Sequence, residues 1–377
     1  MRKVIFILGT FVGMMFTSCE KNSLEPDATV SNNSTSRIAT GTNGGIYGTN
    51  LNDGLSSNCD NNILVFPSWE VYYETIEQLD LMVEQSITDF DVSIDAANVS
   101  DEVYDQKCEA EGFDEDNVLI NFENQNKFCS LRKKISSEES QWLEQQGDGQ
   151  WDMNADPDNH FIDNETERTL LNEQSQVAIV VKNEIVIFHF VNDEGTYVEI
   201  RNMDIAALQQ INAGTIPQNN PNVVQSVKAP TPWQNLCKDN VTKVECHYVG
   251  DERLKQISKI RREEIGLKAD SRIKSKTKGY KKKRNGGWAG ARRTITAGIS
   301  SQTLNIPGIA YNSCQNIRPQ VNNVKNERKR SIKVLEKLPY HDGYLTQVLQ
   351  YLTVRDNELY SHHRLGAIIV IDDFYDM

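Results

Sequence analysis

Charge in this chain is sorted along its length. Residues 51–170 hold 29 acidic and 6 basic side chains, a net of −23, whereas residues 251–300 hold 16 basic and 5 acidic, a net of +11. Two such runs either find each other in the fold or give the protein two surfaces of opposite field. At 377 residues, 38% of them hydrophobic, the chain is longer than one apolar core usually serves, and two domains are expected.

The N-terminus carries an address. Arg2 and Lys3 precede an apolar run, Val4 to Phe16, followed by Thr17, Ser18 and Cys19. A positive start, a short apolar middle and small residues before a cut are what a secretory signal needs. The run is shorter than the roughly 20 residues a helix needs to cross a bilayer. The segment resembles the lipobox of bacterial lipoproteins. That resemblance implies that residues 1–18 are a signal peptide and that Cys19 is lipidated, holding the body to the outer membrane on its periplasmic or cell-surface side. Residues 19–60, rich in Asn, Ser, Thr and Gly, bury too little to offset their ordering entropy and read as a flexible tether.

Six further cysteines, Cys59, Cys108, Cys129, Cys237, Cys246 and Cys314, suit disulfides in an exported protein, and their pairing is open. Buried free thiols are the alternative. No Cys-x2-Cys pair points to a metal cluster.

The body divides by periodicity into an α+β fold. Residues 61–215 form an acidic domain of helices and antiparallel strands. It starts with a strand ending at Phe66 and a helix capped by Ser68, with Val71, Tyr72, Ile76, Leu79, Met82 and Val83 expected on one buried face. Ser136 and Glu139 form a capping box ahead of Trp142 and Leu143, and Asp163 can cap the turn that carries Leu170 and Leu171. Val177–Val181, Ile185–Val191 and Thr196–Ile200 alternate as a three-stranded meander. The Pro-rich stretch 216–236 is the expected linker. Residues 237–377 read as a mostly β, sandwich-like domain, with strands that include Tyr344–Arg355 and Leu365–Phe374. Gly366 to Ile371, apolar on both faces, is expected in mid-sheet.

The sequence of Leu64-Val65-Phe66, an aromatic-rich helix, Ser130-Leu131-Arg132 and Arg168-Thr169-Leu170-Leu171-Asn172 before the Val177 strand resembles uncharacterised cell-envelope lipoproteins of the Bacteroidota. The resemblance implies an envelope lipoprotein and carries no catalytic residues across.

Two patterns carry candidate chemistry. Asp152, Asn154, Asp156, Asp158, His160 and Asp163 place oxygen-bearing residues at the spacing of a calcium-binding loop. Pro157 stands where such a loop needs Gly, and Asp163 replaces its long bidentate Glu. A solvated acidic loop is the other reading, and no other cofactor is expected. In the second pattern, Arg272, Lys274, Lys276, Lys278, Tyr280, Lys282 and Arg284 share one face if the segment is a strand. Trp288, Arg292 and Arg293 follow a turn and can extend the patch. Such a stripe attracts polyanions such as acidic envelope glycans, docks intramolecularly on the acidic domain, or guards a sheet edge. Location and the lack of a recognised motif speak against nucleic acid.

No nucleophile elbow, zinc-protease helix, phosphate loop or dinucleotide fingerprint is present. The sequence therefore points to a non-enzymatic envelope lipoprotein with a binding or adhesion role, to an anionic polysaccharide through the basic strand or to an envelope protein. A glycan-degrading enzyme and an architectural subunit are the rivals.

Overall fold

The structure is a computed structural model. It describes residues 49–50, 62–127, 129–191, 196–226, 241–265, 268–301, 321–338, 359–374 and 376. These all belong to the unit Ser36–Met377. The signal segment, Cys19, Cys59, Cys237, Cys314 and the expected strand Tyr344–Arg355 lie outside the described residues.

The first sheet runs in chain order: β1 (Thr49–Asn50), β2 (Leu64–Phe66), β3 (Gln176–Val181), β4 (Glu184–Phe190), β5 (Tyr197–Ile200) and β6 (Val223–Gln225). The β2–β3 pair is parallel and the rest antiparallel, including the expected meander. β6 sits at the end of that order, so residues Val223–Gln225 of the expected linker belong to the first sheet.

Four helices cover one face of this sheet. They are α1 (Trp69–Ser93), α3 (Asn117–Asn126), α4 (Leu131–Gln145) and α5 (Glu165–Leu170), with α2 (Asp101–Glu111) between α1 and α3. Trp69, Tyr72, Leu79, Leu119, Phe122, Ile135 and Leu170 join Val177, Ile179 and Phe188 in one core. The other face packs Ala178, Ile187 and Val198 on Ala207 and Ile211 of α6 (Ile205–Asn212).

Helix starts follow side-chain caps. Ser68 accepts from the Val71 N–H, as read from the sequence. The Ser136–Glu139 box is corrected: α4 begins six residues earlier in sequence number, at Ser130, whose hydroxyl accepts from the Lys133 N–H at 3.0 Å. Arg132 in that first turn grips Glu123 with two bonds of 2.9 and 2.6 Å, which fixes the start. Asp163 is likewise not the cap of α5; Asn164 is. The motifs Ser130-Leu131-Arg132 and Arg168–Asn172 meet in space, through a bridge from Ser130 to Asn172 and a 2.8 Å bond from the Leu131 N–H to the Leu171 carbonyl.

The later part is mostly β, which makes the fold mixed α+β. A second sheet orders β7 (Val241–Val249), β8 (Glu252–Ile265) and β9 (Lys268–Lys282), with β10 (Trp288–Gly290) and β13 (Ser331–Leu338) both on the far edge of β9. A third orders β12 (Asn322–Lys329), β11 (Arg293–Ser301), β14 (Leu359–Leu365) and β15 (Ile368–Asp373). Leu254, Ile260, Ile273 and Ile332 from one sheet share a core with Ile295, Ala297, Leu365 and Ile368 from the other. The expected single strand Leu365–Phe374 is a hairpin: Gly366, at φ +55°, turns the chain back. Gly366–Ile371 is therefore not in mid-sheet. β15 ends the described order of its sheet, and Ile369 and Ile371 are 63% and 58% exposed.

Candidate functional site

The second sheet is the middle layer. Along β9 the side chains alternate as the sequence predicts, with Ser275 and Thr277 bonded to the third sheet and Lys274, Lys276 and Lys278 reaching the helical layer. β8 alternates in register with it, placing Arg253, Lys255 and Lys259 on the same face. Cross-strand partners there are like-charged: Lys255 faces Lys278, Lys259 faces Lys274, and Lys276 faces Lys333 of β13. Like charges directly opposite one another are destabilising. Such a face needs counter-ions.

The acidic segment 152–165 and Glu139 of α4 supply them. Asp158 lies 2.7 Å from Arg168, 3.2 Å from Lys255 and 3.0 Å from Lys278. Asp156 meets Lys255 at 2.6 Å, Glu139 meets Lys278 at 2.8 Å, and Glu165 meets Lys276 at 3.1 Å. Asp163 meets Lys274 at 2.9 Å and Lys259 at 3.8 Å. Burial alone would raise the Asp158 carboxyl, but Lys255, Lys276, Lys278 and Arg168 together hold it well below the usual carboxylate range. Burial likewise opposes the charge on Lys278, and Asp158, Glu139 and Glu165 reverse that and raise it. At Lys274 burial wins over Asp163, and its ammonium is held well below the usual lysine range. The charges of Asp158 and Lys278 therefore stabilise each other, whereas at Lys274 and Asp156 burial outweighs the partner.

Of the readings of the basic stripe, this geometry matches intramolecular docking on the acidic layer and not a polyanion-binding face in solvent. Lys274, Lys276 and Lys278 are buried, and their charges are spent inside the molecule. Tyr280 donates to Glu139 at 3.0 Å and is buried. It packs with Trp142, Trp151 and Trp288 in an aromatic box around Arg253, whose guanidinium lies 4.8 Å from the Trp151 ring and 4.4 Å from the Trp288 ring. Neither Tyr280 nor Trp288 is open to a sugar ring. Lys282 pairs with Asp148 at the rim, Arg284 is exposed, and Arg272 is placed only by its backbone in β9. Arg292 and Arg293 extend the seam: Arg292 is buried beside Asp91 and Glu115 at 3.1 Å each, and Arg293 lies 3.1 Å from Glu252.

The calcium-spaced residues serve other ends. Asp152 and Asp156 accept from the N–H groups of Asn154 and Asp158, which closes two short turns, and Asp156, Asp158 and Asp163 face ammonium groups. The Asn154 side chain is exposed. Among the described residues no group of three or more His, Cys, Asp or Glu is arranged to hold a metal ion.

Sequence reasoning missed Lys255, Lys259, Arg168 and Glu139. Lys255 and Lys259 are four apart in a period-two run, a readable sign of one face. Their pairing with β9 became visible only with the register. Cys129 is disulfide-bonded, while Cys108 and Cys246 are free thiols; burial pushes Cys246 up to about 11. No described helix is long and apolar enough to cross a membrane. No protein-family model, curated protein or solved structure matches the chain.

Proposed function

We propose that the chain is a non-enzymatic envelope lipoprotein, lipidated at Cys19, whose body makes contact with another envelope protein through the outer face of its third sheet. The observation that carries this reading is the apolar content of that face. Val324, Ile369 and Ile371 are 48%, 63% and 58% exposed there. In one row across the sheet Val324 faces Gly298, Gly298 faces His362 and His362 faces Ile371. Contiguous exposed apolar surface marks interaction sites, and here Ile369 and Ile371 stand together on β15 with Val324 across the sheet on β12. The third sheet packs one face on the second, whose opposite side is covered by the acidic layer, and so its own outer face is open to a partner.

The disulfide at Cys129 supports an exported location. Anionic glycan is not carried forward as the ligand of the basic strand, because that strand is internal. A hydrolase works between two carboxyl groups flanking a sugar. The cleft between α1 and β13 that holds Asp80, Glu84 and Asp116 has an aliphatic floor of Val83, Ile87, Leu119 and Ile332 rather than stacking aromatics, which favours binding over hydrolysis.

The test is a photo-crosslinking residue at Ile371 in the native host, combined with a clickable fatty acid. Wild type is expected to take the lipid label, to lose it in Cys19→Ser, and to give a defined adduct with an envelope protein. An unlabelled Cys19, or no adduct at Ile371, overturns the reading.

A further inference from the structure

Among the described lysine–carboxylate pairs, Lys255 of β8 and Asp156 are the pair in which neither side chain has any exposure, with 2.6 Å between Nζ and Oδ2. An ion pair taken wholly out of water loses the hydration of both charges, and neutralising it is the cheaper course. Asp156 already leans that way, since burial raises its carboxyl in spite of Lys255. Cys246 stands opposite Lys255 on β7 and packs against the box of Trp142, Trp151, Tyr280 and Trp288, so the surroundings are apolar.

Neither charge is needed elsewhere. Asp156 has no second cationic partner among the described residues, and Asp158 keeps Arg168 at 2.7 Å and Lys278 at 3.0 Å when Lys255 is neutral. Loss of the Lys255 ammonium also removes the like charge that faces Lys278 across the ladder. The Asp156 carboxyl is held at both oxygens: the Asp158 N–H donates to Oδ1 at 2.9 Å, and Lys255 Nζ donates to Oδ2 at 2.6 Å. A second carboxylate, Oδ2 of Asp158, lies 3.2 Å from the same nitrogen.

We infer that Lys255 and Asp156 condense to a side-chain amide, a covalent link between β8 and the acidic segment ahead of α5. A proton passes from Nζ to Oδ2 along their hydrogen bond, leaving a free amine and a carboxylic acid. Nζ attacks Cγ, and the displaced electron pair moves onto Oδ1, where the Asp158 N–H stabilises it. The Asp158 carboxylate, ionised at the outset, takes a proton from the nitrogen and delivers it to the Oδ2 hydroxyl, which leaves as water while the Oδ1 electrons re-form the carbonyl. The Nζ–Cγ bond forms, the Cγ–Oδ2 bond breaks, nothing is oxidised or reduced, and Asp158 ends as it began. Well-oriented neighbours react at effective molarities of about 10⁵–10⁸ M, and burial keeps water from reversing the step. Lys274, Lys276 and Lys278 differ in that Asp163, Glu165 and Glu139, which face them, are each partly exposed. The link is remote from the outer face of the third sheet and stands whether or not that face binds a partner.

Peptide mapping of the full chain from its native host, digested with trypsin in urea, tests it. Wild type is expected to give peptide 254–259, uncut after Lys255, joined to peptide 135–168 and lighter than the two together by one water. In the urea-unfolded chain Lys255 should then resist acylation, while Lys274, Lys276 and Lys278 react. Lys255→Arg keeps a cation beside Asp156 but should show no link and melt at a lower temperature. Asp158→Asn, which keeps both reacting groups and removes the proton carrier, should reduce the linked fraction by about tenfold or more. Cleavage after Lys255 with peptide 135–168 at its unlinked mass in wild type overturns the inference whether or not either variant folds, and so does an Asp158→Asn variant linked as fully as wild type.

Discussion

Lys255 and Lys278 stand directly opposite each other on neighbouring strands, and the Asp158 carboxylate lies 3.2 Å from the first and 3.0 Å from the second. Two ammoniums facing across a ladder repel. A carboxylate brought from another layer turns that repulsion into a three-body attraction. Lys259 and Lys274 repeat the placement around Asp163, at 3.8 and 2.9 Å, although at Lys274 burial outweighs that partner. The sheet and the acidic loop therefore specify each other's position, and the sorting of charge along the chain is an instruction for assembling its layers.

Removing the shared anion should be costly. Breaking a buried pair from one side leaves uncompensated charge, and Asp158→Asn should lose roughly 3–5 kcal/mol in urea denaturation. Glu144→Gln, which breaks an exposed pair with Lys283, should change the midpoint little. If the two variants unfold at the same urea concentration, the network is not what holds the layers.

How much of this was legible depended on whether the signal was local. The alternation of β9, the meander of β3 to β5 and the Ser68 cap are set by neighbours in sequence, and all were readable. The start of α4 was not, because Ser130 and Ser136 both have local capping chemistry and the choice is made by Glu123 gripping Arg132. β12, Asn-Asn-Val-Lys-Asn-Glu-Arg-Lys, offers almost no apolar alternation and becomes a strand by pairing with β11. The site itself required a register, and register is a property of two strands. Once Lys255 was known to face Lys278, the need for a buried carboxylate followed from Coulomb repulsion alone.

Stability should fall with acid before the carboxylates titrate. Burial pulls His363 down to about 3 and His160 down to about 4, whereas an unfolded chain holds its histidines near 6.5. Below about pH 6.5 the unfolded state takes up protons that the folded state refuses, so stability is complete above that value and declines as pH drops. Each histidine contributes a slope of about 1.4 kcal/mol per pH unit. His363 sits between the two β-layers, with Ser258 2.9 Å from Nε2 and Thr277 2.8 Å from Nδ1. His363→Gln should flatten the pH 6.5 to 4 dependence, measured by thermal melting; an unchanged slope counts against a neutral buried imidazole.

The hairpin that exposes Ile369 and Ile371 rests on one backbone conformation. Gly366 at φ +55° suits glycine or asparagine. Gly366→Ala should cost about 1 kcal/mol, and Gly366→Asn should cost less. Equal midpoints for the two variants would argue against this turn.

Free thiols should differ from ordinary surface cysteines. Burial raises Cys246 to about 11, so at pH 8 little thiolate is present. Iodoacetamide should modify it far more slowly in the folded protein than in urea, as read by mass spectrometry. Comparable rates in the two states would contradict its packing against the aromatic box.

The most direct measurement is amine footprinting. The folded protein is treated briefly with an acylating reagent, and the modified lysines are quantified by mass spectrometry, with a urea-unfolded sample as the reference. Lys255, Lys274, Lys276 and Lys278 should be protected, while Lys325 and Lys283, which are exposed, react freely. If the four react in the folded protein as fast as Lys283 does, the stripe faces solvent, and the account of a sheet neutralised from within is wrong.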